Sequence, residues 1–557
     1  MKILIWRTKY NNFNNTKDIM RAILKLKNID KEHVKEFITG QVPVHSPLLL
    51  NNMKEACEEI VKYKNICICS DYDADGVCAN YIMYMGLQSL SNKFNWDISY
   101  IIPERQDGYG LSNKNIDKAK EKNVDCIITV DNGISAYDAV EYAKSLGINV
   151  IITDHHKLTT QIPNCLVVDP QVDDYPFKYI CGALIAFKFI CALYELNKVE
   201  MPRELYDELL SFAAIATIAD IMKLTDENRF FVYEGLKRIN KTQNIGLRTL
   251  INEANITNIK ADTIAFLIGP MINAAGRLAS PTIAHDLFIS EDITECEKLA
   301  KKLIELNKQR KNLQKDIIDQ IPANILKDDF IVFYNPDAGK GVLGTIASSI
   351  SDRYKKPCFV LSGHKRLTGS GRTAHGYSIL SFINSSRDIL DGGGHTEAAG
   401  ITLLEENLDE LRRRCNIHFK NWLQQNDKSL DDILYSLGEI PFSLIDLRFA
   451  ENLEMLEPYG CGNPKITFIS RNVNIREVNI IGSTQNAIKF KFEQNGIHLD
   501  GIGFNNIINL YNDKMHNVDI AYTININEWN GIKTVQLQLV DIRRNEEFDD
   551  ITIMREL

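Results

Sequence analysis

No stretch of the chain approaches the roughly 18 consecutive apolar residues that a membrane-spanning helix needs. The opening Met-Lys-Ile-Leu-Ile-Trp-Arg has too short an apolar run for a signal peptide. The expectation is a protein neither exported nor anchored, with no membrane partner and the cytoplasm as its compartment. Twelve cysteines occur without any Cys-x-x-Cys, and the one close pair, Cys67 and Cys69, alternates with Ile66 and Ile68 as in a strand. That spacing excludes a zinc knuckle and a disulfide framework, and it fits a reducing compartment. Positive charge is not in excess either: Lys+Arg 64 against Asp+Glu 73 gives a formal net charge of -9, so nucleic-acid contact must come from local patches. No G-x-x-x-x-G-K-[ST] is present, and no use of ATP is expected. Gly339 to Gly344 does fit G-x-G-x-x-G, but the following strand ends Leu361-Ser362-Gly363-His364 with no acid for a ribose, which speaks against a dinucleotide site.

What is present is ordinary for a globular protein: 45% apolar and 25% charged residues over 557 positions, enough for several cores. From about residue 64 to 170 a short apolar run followed by an aspartate recurs four times. Ile66 to Cys69 precedes Asp71, Cys126 to Val130 precedes Asp131, Val150 to Ile152 precedes Asp154, and Leu166 to Val168 precedes Asp169. Continuous apolar strands alternating with helices predict a parallel sheet covered on both faces, and right-handed crossovers bring the strand C-terminal ends, with their aspartates, to one edge. Open α/β sheets bind ligands there.

Residues 203 to 320 read as helical, and Asp292 to Ile321 predicts one helix of roughly 40 Å that can bridge two domains. A second βα unit follows, with strands at Phe330 to Phe333 and Cys358 to Leu361, ending in Asp391-Gly392-Gly393-Gly394-His395. Beyond Lys465 the texture turns to alternating strands, with Asn495-Gly496 and Asn530-Gly531 as hairpin turns. A small OB-fold-like barrel is the expectation. The predicted segments are an N-terminal segment 1–48, a catalytic α/β domain 49–225, a helical region 226–322, a smaller α/β domain 323–425 and the barrel 440–550.

The densest constellation is Ser70-Asp71-Tyr72-Asp73-Ala74-Asp75-Gly76, three carboxylates at alternate positions after a strand. Alone it could be a solvated, helix-capping turn. Asp131-Asn132-Gly133 and Asp154-His155-His156 fall at the same sheet edge, and Asp220 ends the apolar run Phe212 to Ala219. Carboxylates with one or two imidazoles and no thiolate suit Mn²⁺ or Mg²⁺. The donors exceed the need of one octahedral ion, and two ions roughly 3.5 to 4 Å apart would use them, the arrangement that hydrolyses phosphoesters. Adjacent histidines after a strand point differently, so His155 is expected on metal and His156 on substrate phosphate.

Asp-His-His after a strand, with the preceding D-x-D-x-D, Asp131-Asn132-Gly133 and Asp220, resembles the DHH phosphoesterase superfamily. Other stretches are similar to the bacterial RecJ exonucleases. They are Pro103-Glu104-Arg105 with Gly108-Tyr109-Gly110-Leu111, Gly269-Pro270 with Asn273 to Arg277, Gly369-Ser370-Gly371-Arg372, Gly393-Gly394-His395 with Ala398-Ala399-Gly400, and Pro458 to Pro464. In order, they cover about residues 65 to 545. The resemblance implies a DHH domain joined by a long helix to a DHH-associated domain, then an OB-fold-like barrel. It implies a single-strand-specific 5′ to 3′ DNA exonuclease with two divalent ions, Mn²⁺ or Mg²⁺, acting in DNA repair and recombination. It makes Asp73, Asp75, Asp131, His155 and Asp220 metal ligands assisted by Asp71 and Asp154, and turns His156 to the scissile phosphate. Arg277, Ser370 and Arg372 would anchor the 5′-phosphate, Arg105 would hold the strand, and Asn273 and His395 would touch substrate. Single-stranded DNA is the expected partner of a monomer, with a single-strand-binding protein or helicase as a candidate second. Arginines in glycine-rich loops suit this, because glycine lets backbone approach and guanidinium presents paired donors. The sequence departs from the pattern at Gly339-Lys340-Gly341-Val342, where such proteins usually carry tryptophan and histidine.

Two other readings stand beside this one: a phosphoesterase of the same superfamily acting on short oligonucleotides or cyclic dinucleotides, and a non-catalytic single-strand-binding replication factor. The barrel and long helix speak against the first, the full donor set against the second. Local basic patches for nucleic acid would be Lys355-Lys356, His364-Lys365-Arg366 with Arg372, and Lys489 and Lys491 beside Phe490 and Phe492. Arg412-Arg413-Arg414 reads as a solvated helix face.

Overall fold

The computed structural model describes residues 5–108, 110–158, 161–426, 433–482, 486–504 and 506–545. Tyr109 of the glycine-tyrosine-glycine motif and the end of the predicted barrel segment therefore lie outside the described residues. In chain order the strands are β1 (Ile5–Asn12), β2 (Asn65–Ser70), β3 (Asp97–Ile101), β4 (Cys126–Val130), β5 (Asn149–Thr153), β6 (Leu166–Val168), β7 (Ile331–Tyr334), β8 (Cys358–Ser362), β9 (Arg366–Arg372), β10 (Leu390–Gly394) and β11 (Ala398–Leu404). The remaining six are β12 (Ile433–Glu439), β13 (Phe468–Ile481), β14 (Ala487–Gln494), β15 (Ile497–Phe504), β16 (Asn517–Trp529) and β17 (Ile532–Arg544). The chain divides into two compact units, residues 45–222 with 234–430, and residues 1–44 with 223–233 and 431–557.

In the first unit, β3-β2-β4-β5-β6 form one five-stranded sheet with every pairing parallel. The central strands are apolar on both faces because both are covered. Cys67, Cys69, Ile127 and Ile152 pack with Ile116, Ala119, Val140 and Ala143 of helices Asn113–Glu121 and Tyr137–Ser145. Helices Ala74–Phe94, Gly182–Leu196 and Arg203–Ala219 pack against one another, and most residues of the first two are buried. The edge strand β3 carries only a half-buried pattern and leaves no long apolar run to find in sequence. Helix Ile293–Asp319 is one uninterrupted element of 27 residues, capped by Asp292, whose side chain accepts from the Glu295 amide at 3.0 Å. It leads to a second sheet, β10-β11-β9-β8-β7, of which only β7 and β8 run parallel. Helix Leu343–Tyr354 covers one face of that sheet together with Ile317 of the long helix; Leu411, Cys415 and Phe419 of helix Leu408–Gln425 cover the other.

In the second unit, β13-β14-β15-β17-β16 close into a five-stranded barrel through the β13–β16 pairing, with β15 and β17 parallel, which is the OB topology. The long strand β13 was not visible as a run in sequence, since its second half is largely exposed and mixes Arg476, Glu477 and Asn479 with solvent-facing Ile480 and Ile481. The N-terminal strand β1 pairs in parallel with β12, which pairs in parallel with β13, so the first strand of the chain extends the barrel's sheet. Phe490 and Phe492 point into the barrel core, while Lys489 and Lys491 are paired with Asp500 and Glu477 at 3.2 and 3.1 Å. Lys356 is buried and donates to the Leu326 and Asp328 carbonyls. Lys356 is thus a structural group, whereas Lys489 and Lys491 stand half-exposed in surface ion pairs. The arginine run is the solvated face expected: Arg412, Arg413 and Arg414 pair with Asp409, Glu410 and Asp388.

Candidate active site

The Asp71 to Gly76 turn is built by its own carboxylates. Asp73 is the N-cap of helix Ala74–Phe94, its Oδ1 accepting from the Asp75 and Gly76 amides at 2.9 and 3.0 Å. The first turn sits so close to the strand end that a Cβ on Gly76 would lie 2.4 Å from the Asp71 carbonyl oxygen. Asp75, at the start of the same helix, reaches across to the start of helix Gly182–Leu196 and accepts from the Gly182 and Ala183 amides, both at 2.8 Å. A Cβ on Gly182 would meet Asp131 Cβ at 2.4 Å, so glycine there lets the helix start press against the aspartate after β4. Asp131 itself has φ 62°, a left-handed turn held by Asn132, whose side-chain amide donates to the Cys69 and Val130 carbonyls at 3.0 Å each. That turn aims the Asp131 carboxylate back over the sheet edge.

The DHH segment follows the same logic. Asp154 accepts at Oδ2 from the Ile134 amide (2.9 Å) and at Oδ1 from the His155 amide (2.7 Å), the His156 amide (3.2 Å) and His156 Nδ1 (2.7 Å). The two rings diverge in role. His155 Nε2 lies 3.1 Å from Asp131 Oδ1, 3.7 Å from Asp75 Oδ2 and 3.8 Å from Asp220 Oδ2. His156 faces a cavity of about 460 Å³ lined also by Leu111, Ile134, Lys157 and His395. Burial alone would lower the His156 pKa, but the hydrogen bond and charge of Asp154 raise it to about 9. Burial likewise opposes ionisation of Asp154, and His156 overcomes it to hold that carboxyl below its ordinary value. His155 moves the other way, lowered by burial and by the charge of His156.

The remaining acids crowd one another. Burial first, then neighbouring carboxylates, push Asp71, Asp131 and Asp220 well above the usual carboxylate range, and Asp73 upward too. Candidate donor atoms fall within 4.8 Å of one another in three overlapping groups: Asp71, Asp73 and Asp131; Asp75, His155 and Asp220; Asp131, His155 and His156. The buried Asp71 Oδ1 and Asp220 Oδ2 accept no hydrogen bond. Like charges gathered with bare oxygens are the donor chemistry of a hard divalent cation, and the set of oxygens and imidazoles fits Mn²⁺ or Mg²⁺. Asp169, the fourth strand-end aspartate, is buried and raised to about 8, chiefly by that burial; it stands outside all three groups.

Of the expected substrate residues, Arg105, Asn273 and Arg277 adjoin the Asp71–Gly76 turn and His395 lines the His156 cavity, whereas Ser370 and Arg372 are tied to the Gly344–Ser348 turn of helix Leu343–Tyr354. Arg105 lies over the Tyr72 ring at 4.4 Å and its Nε is 3.4 Å from the Gly276 carbonyl. Arg277 donates to the Gly341 carbonyl at 3.1 Å, and Arg372 donates to Ser348 Oγ (3.0 Å), Ser370 Oγ (3.3 Å) and the Gly371 carbonyl (2.9 Å). His395 is exposed on the wall of the cavity that His156 also lines. Asn273 instead accepts from the Ala74 amide at 2.9 Å, fixing the start of the Ala74–Phe94 helix. Sequence reasoning passed over Tyr72, Asn132 and Ser348. The first two sat inside motifs already quoted, whereas Ser348 has no signal except its helical spacing from Gly344.

Fold and site together define a DHH-type phosphoesterase architecture carrying an OB barrel. Family models agree segment by segment: the DHH family N-terminal domain matches residues 65–217, the DHHA1 domain 327–421 and the RecJ OB domain 436–541. The chain belongs to the RecJ family. It is 31% identical over 544 residues to the single-stranded-DNA-specific exonuclease RecJ of Haemophilus influenzae, covering 92% of this chain and 93% of that protein. Identity to the Bacillus subtilis RecJ is 34% over 535 residues, 91% of this chain and 65% of the longer relative. The crystal structure of Thermus thermophilus RecJ in complex with Mn²⁺ is similar with a TM-score of 0.82 at 27% identity, covering 98% of this chain and 80% of that one. The same protein with Mg²⁺ gives a TM-score of 0.75.

Proposed function

We propose that the chain is a metal-dependent exonuclease that removes nucleotides from the 5′ end of single-stranded DNA, in repair and recombination. The observation that carries this reading is the meeting, at one sheet edge, of six carboxylates and two imidazoles from four separate stretches of chain. Relatives named single-stranded-DNA-specific exonucleases, one of them solved with Mn²⁺ and with Mg²⁺, support it. On this reading Asp73, Asp75, Asp131, His155 and Asp220 hold two divalent ions, and Asp71 supports them. The ions, when bound, supply Lewis acidity that draws charge from the scissile phosphate and makes water nucleophilic at neutral pH.

The protein's own groups do the rest. Asp154 fixes the His156 ring through Nδ1, which leaves Nε2 as a donor toward a phosphate oxygen in the cavity. Asp75 and Asp131 are held rigid by backbone amides and by the Gly182 contact, so their oxygens need no rearrangement as charge develops. Arg277, Ser370 and Arg372 anchor the terminal 5′-phosphate, Arg105 holds the strand against Tyr72, and the walls between His156 and His395 take the departing nucleotide. The segments proposed are the N-terminal segment 1–48, of which Ile5–Asn12 extends the barrel's sheet, the DHH domain 49–225, the helical region 226–322, the DHH-associated domain 323–425 and the barrel 440–550. The protein acts as a cytoplasmic monomer without ATP; among the described residues no helix is long and apolar enough to cross a membrane.

Asp131→Ala tests the assignment. Mn²⁺-dependent release of labelled nucleotides from 5′-phosphorylated single strands is expected to fall by about 10³-fold or more with secondary structure intact. Retained activity refutes the metal assignment. Rates on a dinucleotide and on a fifty-mer separate the exonuclease from a small-substrate phosphoesterase, which would favour the dinucleotide.

A further inference from the structure

Outside the metal centre, the first unit holds a cluster of positive charge with no acid paired to it. Among the described residues no carboxylate lies within ion-pair distance of Arg105, Arg277, Arg310 or Arg372, whose hydrogen-bond partners are carbonyl, amide and hydroxyl oxygens. The least exposed of them is Arg310, 9% exposed on helix Ile293–Asp319. Its Nε and Nη2 donate to Asn307 Oδ1 at 3.2 and 2.9 Å, and its Nη1 donates to Gln314 Oε1 at 3.1 Å. Neutral amides thus hold the guanidinium flat without cancelling its charge, and two of its five N–H groups remain uncommitted. A buried cation without a counter-charge is costly, and the cost is met when an anion arrives.

The surroundings say which anion. Gln314, which grips Arg310, donates from its other end to the Thr345 carbonyl at 3.4 Å and to the Ser349 hydroxyl, both on helix Leu343–Tyr354. Ser348 of that helix holds Arg372, and a Cβ on its Gly344 would lie 3.4 Å from both Arg372 Nη2 and Ser370 Oγ. Just ahead of it, the Gly341 carbonyl accepts from Arg277, and the backbones touch so closely that a Cβ on Gly341 would be 2.2 Å from the Arg277 carbonyl oxygen. Arg372 is therefore held by this helix directly, Arg277 by the turn just ahead of it and Arg310 only through Gln314, and the helix has no side-chain cap of its own. Arg277 is lowered to about 10 by burial first and then by Arg105, with Arg310 adding to it; Asp73 opposes this from beyond ion-pair reach.

We infer that Arg310 is a phosphate-positioning residue, a further guanidinium in the site formed by Arg277, Ser370 and Arg372, delivered by the interdomain helix. The inference rests on the 5′-end exonuclease reading and deepens it by adding a specificity-determining side chain for a terminal phosphate. Two uncommitted N–H groups on Arg310 match the paired acceptors of a phosphate monoester, which a 5′-hydroxyl end lacks.

The test compares kcat/KM of the full chain, with Mn²⁺, on one 20-nucleotide strand carrying either a 5′-phosphate or a 5′-hydroxyl. In Arg310→Gln the value on the phosphorylated strand is expected to fall about 10-fold or more while the hydroxyl strand changes by less than about two-fold, so the phosphate preference collapses. Equal loss on both strands would mark a purely structural cross-link and overturn the inference, as would a wild type indifferent to the terminal phosphate. Where Arg310→Gln does not fold, Arg310→Lys decides: its compact ammonium cannot present paired donors, so an unchanged preference overturns the proposal. A wild-type chain that degrades neither strand refutes the exonuclease reading instead, and anisotropy binding of the same two strands to wild type and Arg310→Gln then judges Arg310 alone.

Discussion

Three histidines of the first unit show how environment, and not residue type, sets the role of an imidazole. His155 is enclosed by carboxylates, His156 is charged against Asp154, and His285 is fully buried with neither ring nitrogen hydrogen-bonded. His285 instead packs against Tyr81, Tyr84 and Tyr100, with the Tyr100 ring centroid 4.2 Å away. Burial lowers its pKa to about 3. A folded pKa beneath the ordinary 6.5 means that the unfolded chain takes up the proton first. The folded state therefore keeps its full stability above about pH 6.5 and loses it progressively as pH falls toward the folded value, by about 2 kcal/mol at pH 5. His285→Phe keeps an aromatic ring in the tyrosine cage and removes the titration. Denaturant midpoints at pH 7 and pH 5 should separate less in the variant than in the wild type, and an identical acid-induced drop in both would contradict the account. No sequence pattern pointed to this residue, because three tyrosines from distant positions make its environment.

Elements were legible where burial is continuous and obscure where it is not. β2, β4, β5 and β6 announced themselves as apolar runs because helices cover both faces, and each ends in the aspartate the sheet edge requires. Both Asn-Gly turns form hairpins, between β14 and β15 and between β16 and β17, with positive φ at each residue. β3 and β13, partly exposed, left no such trace. The donor residues were readable because strand ends place them; the partners that orient them were not, since Asp75 is held by a helix more than a hundred residues away. That long-range contact makes a prediction. Gly182→Ala forces Asp131 or the helix start to move, and overpacking of this kind costs about 1–3 kcal/mol. Calorimetric titration with Mn²⁺ should show weakened binding along with the lower melting temperature. Mn²⁺ affinity equal to wild type would mean that the helix start does not position the donors.

Across the whole molecule, the barrel unit gathers residues 1–44, 223–233 and 431–557, so its sheet is complete only when the two ends of the sequence meet. Trp6 of β1 is the fastening. Fully buried, it donates Nε1–H to Asp541 Oδ2 at 2.7 Å on β17, and the Arg543 guanidinium stacks 3.9 Å over its ring. Pairings separated by over 500 positions close late, because loop-closure entropy opposes them until the last strands exist. Trp6→Ala removes the ring, leaves Asp541 with a buried acceptor lacking its donor, and should destabilise the barrel unit by about 3–5 kcal/mol. Hydrogen exchange at β16 and β17 amides would report this as faster opening, confined to that unit. The metal donors all belong to the other unit, so Mn²⁺-dependent cleavage of a dinucleotide should stay within about two-fold of wild type, while degradation of a fifty-mer falls on the proposed reading in which the OB barrel holds single strands. Loss of dinucleotide cleavage in parallel with the fifty-mer would show instead that the metal centre depends on the barrel for its own folding.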